Sequence, residues 1–207
     1  MELENKELCA KCGGLCCKQT GCYYSAQDLK VVDSRSIKSM LDKGYTSIVT
    51  DILFSFPEHT ILTLKARNIN AQKIDLISCS RGCSALKEDG CIYSLEKRPS
   101  GGKYLIPGEN RRCGYDKVKL LDIIETWLPY QELLKSVCEE VSGIPFPELM
   151  SIQVEEYFYY VYTHGLFEHN SFTPFRMAYP EEDNKVLKRV YGINADDNLE
   201  TIIRKMF

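Results

Sequence analysis

The sequence predicts an α+β protein, mainly helical, in which a loop-rich, cysteine-bearing front with a few short strands packs on a C-terminal helical body. Three observations lead there. Nine of the ten cysteines fall within the first 113 of 207 residues, in stretches punctuated by glycine and proline. Between Tyr45 and Ile77 β-branched and alternating residues dominate, the pattern of half-buried strands. From Lys117 onward apolar residues recur at the three-to-four spacing of helices. The expected organisation is a cysteine-cluster region over 1–116 and a helical region over 117–207, packed as one compact unit.

Taken in order, residues 9–22 hold five cysteines and three glycines without an apolar period, and read as a loop. Ser25-Ala-Gln-Asp28 has the form of a capping box and opens a short helix to about Val32. Ser34 caps a second helix whose Ile37, Met40 and Leu41 share a face, and Gly44 stops it. Thr60–Arg67 and Lys73–Ile77 are the clearest strands. Asp89-Gly90, Pro99-Ser-Gly-Gly102 and Pro107-Gly108 break the next stretch into turns. Val118, Leu120, Leu121, Ile124 and Leu128 then form a helical face, and Pro129 suits the first turn of a helix carrying Leu133, Leu134, Val137 and Val141 up to Gly143. Further helices are expected from about Pro147 to Thr163, over 180–190 and over 196–205.

Composition narrows the function. Hydrophobic residues make up 44% and charged residues 27%, near globular averages, which argues against disorder. Lys and Arg total 26 against 29 Asp and Glu, so no basic excess exists to neutralise phosphates, and no nucleic-acid partner is expected. No run reaches about 18 apolar residues, so no membrane span is expected. Residues 1–8 lack the basic and apolar segments of an export signal, which points to the cytoplasm. In a reducing compartment clustered cysteines serve metals or redox chemistry more often than disulfides.

The first cluster is Cys9-x2-Cys12-x3-Cys16-Cys17-x4-Cys22, and the second is Cys79, Cys83, Cys91 and Cys113. A two-residue gap lets both thiolates of a Cys-x2-Cys turn reach one centre, as zinc and iron–sulfur sites require. In an extended segment Cys16 and Cys17 point to opposite sides, which suggests two neighbouring sites or one polynuclear cluster. Lys11, Lys18, Arg81, Lys87, Arg98, Arg111 and Arg112 flank the cysteines and could offset thiolate charge. A metal joining 9–22 to 83–113 would hold the front together. A thiol–disulfide switch on the doublet is a third reading, alongside a structural zinc site and an iron–sulfur centre.

Cys9-x2-Cys12-Gly13-x2-Cys16-Cys17, Ser25-Ala-Gln-Asp28-Leu29, and Cys83-x2-Leu86-x3-Gly90-Cys91-Ile92-Tyr93 followed by Arg98-Pro99 resemble the YkgJ-type, or CxxCxxCC, cysteine-cluster family over roughly 9–113. The resemblance implies zinc or iron chelation. The family pattern has a further cysteine soon after Arg-Pro, where Ser100-Gly101-Gly102 stands here, and Cys113 is the natural substitute. Cys22 and Cys79 lie near the clusters without being fixed by the resemblance. Relatives include lysine methylases of flagellin, so an iron–sulfur-dependent enzyme, methylase-like or electron-transferring, is the alternative function. Cys138, on an apolar helical face, reads as core. His59, His164 and His169 read as surface. The tyrosines of 155–162 read as core filling, and Glu155-Glu156 as an acid/base pair only if buried beside the metal.

Overall fold

The structure is a computed structural model that describes residues 13–52, 60–77, 81–88, 90–106, 114–115 and 117–163. These residues form an α+β mix. Its helices are α1 (Leu15–Gln19), α2 (Ser34–Asp42), α3 (Ser100–Lys103), α4 (Lys117–Glu125), α5 (Gln131–Ser142) and α6 (Phe146–Thr163). Its strands are β1 (Thr46–Ile52), β2 (Thr60–Ala66), β3 (Leu86–Lys87), β4 (Gly90–Cys91), β5 (Leu105–Ile106) and β6 (Gly114–Tyr115). The chain divides into two compact units, Met1–Asp51 with Ile61–Leu149, and Ile52–Thr60 with Met150–Phe207. The helices expected over 180–190 and 196–205 lie outside the described residues.

In the first unit β1 pairs with β2, and each strand gains a neighbour on its outer edge. Residues 22–24 run along β2, with Tyr24 N–H donating to Leu64 O (2.9 Å) and Ala66 N–H to Cys22 O (2.8 Å). Residues 73–76 run along β1, where Ile74 bridges Ile48 in parallel. The strand expected over Lys73–Ile77 is thus a parallel bridge at Ile74, flanked by main-chain bonds from Ile48 to Lys73, from Asp75 to Ile48 and from Thr50 to Leu76. Ile48, Val49, Ile61, Leu62, Leu64 and Ala66 are buried, as are Ile37 and Leu41 of α2. Helix α2 packs on α5, whose Leu134, Val137 and Cys138 are also buried. Cys138 is core, as its sequence position implied.

Several boundaries differ from the sequence reading. Ser25 and Asp28 do form the reciprocal capping box, but the turn they open is a 3-10 turn of three residues, Ala26–Asp28. The cap of α2 is Asp33, whose carboxylate accepts from Ser36 N–H at 2.7 Å, while the Ser34 hydroxyl bonds Glu140. Helix α4 stops at Glu125, so Leu128 lies beyond it and is half exposed; Ile124 is buried as expected, together with Ile123 and, past the helix end, Trp127. Pro129 sits in the 3-10 turn Leu128–Tyr130 that leads into α5, and Gly143 at φ 72° closes α5.

Polar side chains join these pieces. The fully buried Trp127 donates its indole N–H to Tyr24 O at 2.7 Å. Gln131 presents its amide to the main chain of Leu62, accepting from N–H (2.8 Å) and donating to C=O (3.0 Å). The Arg67 guanidinium donates to the carbonyls of Leu41 and Thr46 and to the Ser47 hydroxyl, tying α2 to β1. Thr126 accepts from Ala26 N–H at 2.9 Å, fixing the end of α4 to the capped turn.

Candidate metal centre

Residues 9–22 read as a loop, yet Leu15–Gln19 is one helical turn, α1, and it carries Cys16 and Cys17. A helix this short leaves its last carbonyls without partners inside it. Two are taken by the second cysteine segment: Cys83 N–H donates to Cys17 O (2.6 Å) and Gly82 N–H to Gln19 O (3.3 Å). On its other side this segment pairs with 67–69, through Ile69 N–H to Gly82 O and Ser84 N–H to Arg67 O, both 2.8 Å. The buried Asn68 accepts from Gly21 N–H at 2.9 Å and so holds the residue before Cys22. Cys91 lies in β4 opposite Leu86 of β3.

These bonds bring together thiols from both clusters. Cys16, Cys17 and Cys22 come from the first; Cys83 and Cys91 come from the second. Cys17, Cys22 and Cys83 each feel the charge of others. The Cys17 thiol is held well above its usual range, first by its bond to Cys16, then by burial and the charges of Cys16, Cys83 and Cys22. Burial pushes Cys22 up to about 12, with Cys83 and Cys91 adding and its own amide and Lys65 opposing. Cys83 is raised by burial, relieved in part by the amides of Ala85 and Leu86, with Cys91 and Cys16 adding. These shifts hold Cys17, Cys22 and Cys83 in the protonated form at neutral pH, and only a neighbouring positive charge would favour their thiolates.

The doublet corrects the expectation drawn from an extended chain. In the helical turn the sulfurs of Cys16 and Cys17 are 3.9 Å apart, on the same side. Two sulfurs on one tetrahedral zinc, each about 2.3 Å from it, stand about 3.8 Å apart. Among the described residues no group of three or more His, Cys, Asp or Glu side chains is set closely enough to hold an ion. Cys9, Cys12, Cys79 and Cys113 lie outside the described residues, as do His59, His164, His169, Lys11, Arg111 and Arg112. No disulfide joins the six described cysteines.

Around the thiols the chain approaches closely. Pro99-Ser-Gly-Gly102 lies on residues 22–23. Gly101 N–H donates to Tyr23 O at 2.9 Å, and a Cβ on Gly102 would stand 3.0 Å from the Cys22 sulfur. Asp28 anchors this stretch by accepting from Ser100 N–H and hydroxyl at 2.8 and 2.7 Å. Of the basic residues expected to face the cysteines, Lys87 stands over the Tyr45 ring and Arg98 donates to Tyr93 O. Lys65, absent from that expectation, is the cation that acts on Cys22; it also stands 5.1 Å over the Tyr23 ring. Glu156 is exposed.

The fold and site thus define an α+β protein in which cysteines distant in sequence share one region. No family model, curated protein or solved structure matches the chain. No helix among the described residues is long and apolar enough to cross a membrane.

Proposed function

We propose that this is a metal-binding protein in which clustered cysteine thiolates hold zinc or an iron–sulfur cluster, linking residues 9–22 to 83–113. The observation that carries the reading is the main-chain bond from Cys83 N–H to Cys17 O, which joins the two cysteine segments. Cys16, Cys17, Cys22, Cys83 and Cys91 supply five sulfur donors, and Cys9, Cys12, Cys79 and Cys113 complete the set. The 3.9 Å spacing of the doublet suits two ligands of one ion or cluster. Cys22, whose sulfur would stand 3.0 Å from a Cβ on Gly102, adds a thiol from the first cluster. Thiolate ligands supply soft, negatively charged donors suited to zinc and iron–sulfur centres.

A reducing cytoplasm is the compartment that keeps such thiols available. Binding energy of about 10–16 kcal/mol, typical of structural zinc in small modules, exceeds the cost of closing the long loop between the clusters. The test is purification without oxygen, followed by a visible spectrum and measurement of zinc, iron and labile sulfide per chain. Stoichiometric zinc in colourless protein, or iron with sulfide in brown protein, supports the reading and chooses between its forms. Metal-free protein whose thiols react freely before any chelator is added overturns it.

A further inference from the structure

One carboxylate outside the cysteines makes more bonds than its local turn requires. Asp28 closes the capping box with Ser25, whose N–H donates to its Oδ2 at 2.9 Å. The same oxygen accepts from Ser100 N–H at 2.8 Å, and Oδ1 accepts from the Ser100 hydroxyl at 2.7 Å. Lys103 Nζ stands 3.8 Å from Oδ1. A capping box uses only the first of these bonds, so the others serve to join the capped turn to α3. Beyond Ser100 the chain lies directly on the arm that carries Cys22. Gly101 N–H donates to Tyr23 O at 2.9 Å, and a Cβ on Gly101 would stand 2.8 and 2.9 Å from the main-chain N and O of Tyr23. Only glycine lets two main chains come this close. A Cβ on the next residue, Gly102, would stand 3.0 Å from the Cys22 sulfur, so that sulfur faces bare main chain. On the opposite side Ala66 N–H donates to Cys22 O at 2.8 Å. Cys22 is thus held between β2, which grips its carbonyl, and α3, which stands against its sulfur.

We propose that Asp28 is a positioning residue: through Ser100 it holds the Gly101–Gly102 main chain against Cys22, and so fixes where that sulfur meets a metal. The inference rests on the proposed metal-binding function. Partners that orient ligands commonly change metal affinity about 10–100-fold when removed.

The experiment titrates chelator-treated, reduced full-length protein with cobalt(II), reading the thiolate charge-transfer and d–d bands. Iodoacetamide labelling of each cysteine in the metal-free protein is followed alongside by peptide mass spectrometry. Asp28→Ala should weaken cobalt binding about tenfold or more, shift the d–d bands and speed labelling at Cys22. Labelling of Cys138, fully buried in the core, should not change. Asp28→Asn should bind as wild type, because its amide oxygen can accept from both N–H groups while its NH2 donates to the Ser100 hydroxyl. Ser100→Ala removes one bond and leaves the capping box whole; it should show a smaller loss in the same direction, and it serves if Asp28→Ala does not fold. Gly102→Ala tests the contact itself, since its methyl displaces the Cys22 sulfur with the carboxylate intact, and it should also weaken binding and shift the bands. Wild type without thiolate bands overturns the metal-binding reading and this one together. Wild-type bands with unchanged affinity and spectrum in Asp28→Ala, or in Ser100→Ala where the former does not fold, overturn the positioning role alone. So do losses accompanied by faster labelling of Cys138, or an Asp28→Asn protein as weak as Asp28→Ala.

Discussion

Gly21 is the position at which one added carbon tests how the cysteine arms are held. A Cβ there would stand 1.9 Å from the Ala66 carbonyl oxygen and 2.7 Å from its carbon. Both obstacles are main chain, so Gly21→Ala must push residues 21–22 away from β2. Two bonds are then stretched or lost: Ala66 N–H to Cys22 O at 2.8 Å, and Gly21 N–H to Asn68 Oδ1 at 2.9 Å. Each bond contributes about 0.5–1.5 kcal/mol, and a buried group left without a partner costs about 1–3 kcal/mol, so a loss of about 2–4 kcal/mol is expected. That is a large share of a total stability of about 5–15 kcal/mol, and lowers Tm by roughly 5–15 °C. Trp127 is the only tryptophan in the chain and is fully buried, so denaturant unfolding followed by its fluorescence measures the change. Amide exchange at Ala66 and Tyr24 localises it. Gly44→Ala is the comparison: nothing lies within 4 Å of its Cβ, and its φ of 83° costs about 1–2 kcal/mol without touching either amide. A Gly21→Ala protein that unfolds at the wild-type midpoint with Ala66 still protected would refute the reasoning.

Two further outcomes follow from burial. Trp127→Ala should destabilise by about 3–5 kcal/mol. Trp127→Phe should cost about 1–3 kcal/mol through the orphaned Tyr24 carbonyl, both read by circular dichroism during denaturant unfolding. In the metal-free protein Cys22 and Cys138 are each raised from 9.0 to about 12, and Cys17 and Cys83 are raised as well. Below pH 9 these thiols are protonated in both folded and unfolded chains, and their contribution to stability is complete. As pH rises from 9 towards 12 the unfolded chain sheds the protons first, so stability falls. A denaturant midpoint that stays level from pH 8 to 11 in chelated, reduced protein would contradict the burial of these thiols.

The parts of the fold set by local chemistry were readable in the sequence. Ile37 and Leu41 announce the buried face of α2, Ser25 and Asp28 their capping box, and Gly143 the end of α5. Trp127, Gln131, Arg67 and Asn68 were not foreseen. Each acts alone on main-chain groups supplied by distant residues, and a single long-range polar contact leaves no period to detect. Leu128 was assigned to a helical face because apolar spacing continues past Glu125, although the helix does not. The grouping of cysteines into two clusters was legible from their spacing. That Cys16 and Cys17 lie on a helical turn was not, since Gly13 and Gly14 before them signal a loop.

The bond between the amide of Cys83 and the carbonyl of Cys17 has a consequence for how the chain is made. About 65 residues must be added after the doublet before its partner exists, which at roughly 5–20 residues per second takes several seconds. Through that interval a nascent chain carries its first sulfurs past the ribosome with no second wall to rest against. The contact that ties residues 82–83 to 17–19 therefore forms only after β1 and β2 have been synthesised.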